Sequence, residues 1–111
     1  MKLKKVIEGL DLAVCCAGRG AEAEVTGAYA GDLLSDVIAN SKAGNVWVTM
    51  QVHVNIVAVA VLKDLSAIIL VNGRTPAEDT LKKASEEKVT ILTSALPAFE
   101  TCGRLASLGV G

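Results

Sequence analysis

The chain carries no surplus of either charge: eleven Lys and Arg stand against twelve Asp and Glu, a formal net charge of −1. A surface that neutralises phosphate backbones is usually basic, so nucleic acid is not an expected partner. Long apolar runs are also missing. The longest uncharged stretch, residues 43–62, is interrupted by Asn45, Thr49, Gln51, His53 and Asn55. Its unbroken apolar part, residues 56–62, is far too short to cross a bilayer, so no membrane association is expected. The basic start, Met1-Lys2-Leu3-Lys4-Lys5, leads into an apolar stretch broken by Glu8 and Asp11, which does not read as a signal peptide.

Cysteine is scarce and odd in number: Cys15, Cys16 and Cys102. The adjacent pair is poorly placed to bridge, and no Cys-x-x-Cys spacing exists. Reduced thiols in a cytoplasmic protein, serving as small buried side chains, are the expectation. His53 is the only histidine, and no cysteine or carboxylate set surrounds it in sequence, so no metal and no cofactor are expected. Asp32 and Asp36 lie at i, i+4 without further ligands. Gly18-Arg19-Gly20 does not continue into a P-loop, and neither a Gly-x-Ser-x-Gly elbow nor a His-Glu-x-x-His pair occurs.

What the chain does have is apolar surface to bury, with 51% hydrophobic residues over a length that fits one domain, residues 1–111. Leu3, Val6, Ile7 and Leu10 recur at helical spacing and predict an amphipathic first helix. Residues 12–16 and 25–30 read as strands. Asp32 stands where it would cap a helix whose apolar side is Leu33, Leu34, Val37 and Ile38. Residues 46–50 make a third strand, and residues 67–71 a strand fit for burial on both faces. Thr75-Pro76-Ala77-Glu78 reads as a capping box with proline at the first helical position, opening a helix with Leu81 and Ala84 inward. Residues 89–93 are the last strand, and Pro97 opens a final helix with Phe99, Cys102, Leu105 and Ala106 inward. Strand and helix alternate, which predicts a three-layer α/β/α single domain with a mostly parallel sheet of about five strands.

Residues 55–62 are β-branched and apolar on every side, so periodicity alone does not choose between strand and helix, and context makes residues 54–64 the expected helix. The strands on either side would need a crossover, usually helical, to lie parallel. A helix apolar all round must be covered all round. The expectation is a homodimer with Ile56, Val57, Val59, Ala60 and Leu62 at or near the interface. The alternative is cover by the first or last helix of the same chain.

Ligands of open parallel sheets bind beyond the carboxyl ends of the strands. There the chain gathers Asp32, then Thr49, Gln51, His53 and Asn55, then Asn72, Gly73 and Arg74. Each has an ordinary structural use: a cap, a turn, a surface ion pair of Arg74 with Glu78. Together they make the candidate ligand site, with no catalytic residue assigned.

The stretch Ala67-Ile68-Ile69-Leu70-Val71-Asn72-Gly73-Arg74-Thr75-Pro76, followed by Val89-Thr90-Ile91-Leu92-Thr93, resembles a DRTGG domain. Residues 24–36 and 49–60 are similar to the same family, as small stand-alone proteins, and more distantly to the N-terminal domain of HPr kinase/phosphorylase. The literal Asp-Arg-Thr-Gly-Gly string is absent, its nearest match being Glu24-Val25-Thr26-Gly27-Ala28. The resemblance implies a regulatory or dimer-forming role and no kinase activity, since the kinase's P-loop domain has no counterpart here. The leading expectation is therefore a non-catalytic dimeric module that binds a partner protein or a small anionic metabolite, including a nucleotide. Two others stand beside it: a small enzyme using His53 as general acid or base with Asp32, Gln51 or Asn55, and a purely structural assembly subunit.

Overall fold

A computed structural model describes residues 1–111. In chain order the elements are α1 (Leu3–Leu10), β1 (Ala13–Cys16), β2 (Gly27–Ala30), α2 (Leu34–Asn40) and β3 (Asn45–Thr49). They continue with α3 (Asn55–Lys63), β4 (Ala67–Leu70), α4 (Glu78–Glu87), β5 (Ile91–Thr93) and α5 (Ala98–Leu108). The strands form one five-stranded sheet in the order β1-β5-β4-β3-β2. β2, β3, β4 and β5 are parallel to one another, and β1 joins β5 antiparallel, with a bulge between Val14 and Cys16. The sheet is thus mixed, where a mostly parallel one was expected. β1 escapes the parallel arrangement because no helix links it to β2. Residues 17–26 instead carry the chain from one edge of the sheet to the other.

The three crossovers all step the same way along the sheet, so a constant hand puts α2, α3 and α4 on one face. Trp47, Ile68, Leu70 and Ile91 point into that layer, against Val37, Ile56, Val57 and Ala84. Their sequence neighbours Val46, Val48, Ile69 and Leu92 point the other way, against Leu3, Val6 and Leu10 of α1 and Leu105 of α5. This two-sided burial is why β3 and β4 read as unbroken apolar runs. No helix is long and apolar enough to cross a membrane.

α3 is a helix, as its crossover position requires, but its cover differs from the expectation. Ile56 and Val57 are 0% exposed, and Val59 and Ala60 are also buried, within a single chain. α3 is the middle helix of its layer, so α2 and α4 flank it while the sheet lies beneath. These four residues are core and are not available to a partner. Of the proposed interface only Leu62 faces outward, at 66% exposure, beside Val61 and Ala58.

Two helix starts also differ. α4 begins at Glu78 with Ala77 as its N-cap, and no side chain caps it. Thr75 lies two residues too early, and the acidic Glu78 and Asp79 face the helix dipole instead. In α5 the buried stripe is Thr101 and Leu105, with Cys102 and Leu108 packed beside it. Phe99 lies six residues before Leu105, roughly 240° around the axis, and is 89% exposed. Ala106 is exposed as well.

Candidate functional site

The carboxyl ends of β2, β3 and β4 converge on Met50. Pairing of Ala30 with Val48 brings the loop after β2 beside the loop after β3. Asp32 uses that proximity. Its Oδ1 accepts the Thr49 hydroxyl and the Met50 N–H, each at 2.8 Å. Gln51 closes the group, its Nε2 donating to the Asp32 carbonyl at 2.9 Å and its N–H to Thr49 Oγ1 at 3.2 Å. Asp32 is therefore not a helix cap: Leu33 holds the N-cap position of α2, with no side-chain hydrogen bond. The carboxylate is committed across strands because Thr49 is buried and its hydroxyl needs an acceptor.

From the β4 side, Asn72 and Gly73 form a left-handed pair with φ of 60° and 65°. Their N–H groups donate to the Leu96 and Ser94 carbonyls at 2.9 Å, which fastens this turn to the loop before α5. Asn72 Nδ2 reaches Met50 Sδ at 3.1 Å, and Arg74 Nη1 reaches the Met50 carbonyl at 3.4 Å. Arg74 does not pair with Glu78 and has no salt bridge.

Between these loops and α5 lies a cleft of about 260 Å³ lined by Ala30, Gly31, Asp32, Val48, Thr49, Met50, Val71 and Ala98. Of the expected site residues only Asp32 and Thr49 line it. Gln51 is held to Asp32 and Thr49, and Asn72 and Arg74 to Met50, by the hydrogen bonds just given. His53 and Asn55 lie at the start of α3, exposed and outside the cleft, and the His53 side chain makes no hydrogen bond. Sequence reading missed the apolar half of the lining. Met50 was legible as the residue ending the third strand, but Ala98 enters only because α5 packs over β2 and β3.

A larger cleft, about 520 Å³, opens at the opposite edge, where the strands begin. Its polar groups already hold the chain together. Arg19 bridges Asp64 at 3.0 Å and donates to the Leu65 carbonyl at 3.1 Å, at the carboxyl end of α3. Thr26 donates to Ala43, and Ser66 serves the Glu24 and Gly44 carbonyls. Glu24 takes the Met1 ammonium at 2.6 Å and Lys2 at 3.3 Å, and these two cations hold its carboxyl below the ordinary range. Size alone therefore does not make this edge the better ligand site.

The thiols are all unpaired and none is fully buried. Partial burial beside α1 and β3 raises the Cys102 thiol above its ordinary value. No cluster of three or more His, Cys, Asp or Glu is arranged to hold a metal ion.

No protein-family model matches the chain, and no curated protein does either. Its fold does match a solved structure: the CBS and DRTGG domains of the regulatory region of Clostridium perfringens pyrophosphatase, complexed with the activator diadenosine tetraphosphate. The TM-score is 0.72 at 12% identity, over 96% of this chain and 46% of that one. The present chain thus spans under half the length of its structural neighbour, and the likeness shows a related fold.

Proposed function

We propose that the chain is a DRTGG-like regulatory module that binds a nucleotide or a similar small anionic metabolite at the carboxyl edge of its sheet, and that it works without catalysing a reaction. The observation that carries this reading is the shared fold with a regulatory region complexed with a nucleotide activator. The convergence of the β2, β3 and β4 loops on one cleft supports it from this chain's own geometry. Acid–base chemistry at His53 gains no support, because His53 stands outside the cleft with no positioned partner. Unpaired thiols fit a cytoplasmic setting.

Self-association belongs to the same reading, with a smaller contact than the sequence suggested. A second copy, or a partner protein, would meet Ala58, Val61 and Leu62 on α3, with Lys83 and Glu87 of α4 beside them. A thermal-shift panel of nucleotides and acyl phosphates, run on the full chain, tests the ligand part. Stabilisation by a nucleotide is the expected result, since a ligand that binds only the folded state raises its melting temperature. No shift with any compound contradicts ligand binding and leaves a purely structural role.

A further inference from the structure

The carboxyl-edge cleft has an uneven polarity. Ala30, Val48, Val71 and Ala98 give it an apolar wall, and Asp32 is its only charged lining group. No cation lines it. Both protein donors of the Asp32 side chain go to Oδ1, so Oδ2 of this exposed residue has no protein partner. An ionised carboxylate only accepts hydrogen bonds. A phosphate entering here would meet a like charge, whereas an N–H or O–H group would form a charge-assisted hydrogen bond. Arg74, which has no salt bridge, stands outside the lining but is held to Met50, a lining residue. Met50 gives its N–H to Asp32 and its carbonyl to Arg74, so one residue sets carboxylate and guanidinium at the two ends of a single peptide unit pair. Guanidinium suits phosphate.

We infer that the cleft takes the neutral, donor-bearing nucleoside end of a nucleotide, with base or ribose donating to Asp32 Oδ2, while the phosphates stay outside on Arg74. This rests on the nucleotide reading above and adds the orientation. At about 260 Å³ the cleft is just below the roughly 300–1,000 Å³ of pockets for drug-sized ligands, a size that suits a single nucleoside better than a dinucleotide.

The test is isothermal titration of the full chain with four probe sets: the common ribonucleosides, their triphosphates, inorganic triphosphate and buffer alone. Asp32→Asn keeps Oδ1 for Thr49 and Met50 and replaces the free Oδ2 with an amide donor. At least one nucleoside and its triphosphate are expected to bind, inorganic triphosphate is not, and Asp32→Asn weakens both binders at least tenfold. Arg74→Ala weakens the triphosphate and leaves the nucleoside within about twofold. Should Asp32→Asn fail to fold, the wild-type contrast of nucleoside against inorganic triphosphate still decides. Inorganic triphosphate binding as well as the nucleotide, or an unchanged nucleoside affinity in folded Asp32→Asn, overturns the orientation and leaves the ligand reading intact. No binding in any arm overturns both.

Discussion

The indole Nε1 of Trp47 donates to the Gly31 carbonyl at 2.8 Å, from a side chain wholly inside the α2–α4 layer. The only tryptophan of the chain thereby ties the core beneath the sheet to a residue that lines the carboxyl-edge cleft. Packing and site geometry are joined at that bond.

Trp47→Phe removes the donor and leaves volume unfilled. The lost hydrogen bond and the residual cavity together should cost about 2–4 kcal/mol. Denaturant unfolding measures this, and a change under about 0.5 kcal/mol would show that the bond is not made.

Asp32→Ala deprives the buried Thr49 hydroxyl and the Met50 N–H of their acceptor, at an expected cost of about 1–3 kcal/mol. Asp32→Asn retains an oxygen at the same place and should cost under about 1 kcal/mol. Equal losses in the two variants would mean that the charge, and not the acceptor position, holds the loops together.

Two surface contacts carry a pH dependence of opposite sign. The hydrogen bond from the Tyr29 hydroxyl to Asp36 Oδ2 at 2.5 Å, with desolvation and the Asp36 charge behind it, raises Tyr29 above its ordinary value of 10.0. A raised folded value means that its stabilisation is complete below pH 10 and is lost as pH climbs through the folded value. Glu24 behaves oppositely. Its lowered value gives stabilisation above its ordinary 4.5 that disappears as pH falls through the folded value. Unfolding followed against pH should show Tyr29→Phe flattening the alkaline limb and Glu24→Gln the acid limb. Crossed or absent effects would contradict these two contacts.

Ile56→Ala should destabilise the fold by about 2–5 kcal/mol, as a core truncation does. Leu62→Glu, on the outward side of the same helix, should change monomer stability by less than about 0.5 kcal/mol. If the chain pairs through α3, light scattering will show Leu62→Glu as a monomer where wild type is a dimer. A monomeric wild type at micromolar concentration removes that pairing from the account.

Much of this architecture is legible in the residues themselves. Apolar runs and helical spacing mark all five strands and all five helices to within a few positions, and the crossover rule settles α3 where periodicity is silent. Strand direction is another matter: β1 carries no mark of being antiparallel, because direction is set by which edge the chain must reach. The cover of α3 is not legible for a related reason. Whether neighbouring crossovers flank a helix depends on strand order, and strand order is not local. At the site, Asp32 and Thr49 are legible as polar residues ending strands, but their mutual bond follows from the pairing of Ala30 with Val48. Phe99 reads as core because one aromatic residue in a helix of mixed polarity has no stripe to contradict it until α5 is docked.

The most direct measurement is a two-dimensional amide NMR titration of the isotope-labelled chain with the nucleoside triphosphate that gives the largest thermal shift. The account predicts concentration-dependent shifts at Gly31, Asp32, Met50 and Ala98, and quiet amides at Ala23, Thr26, Gly44 and Ser66. Shifts confined to the second group would place the ligand at the amino edge and contradict the account.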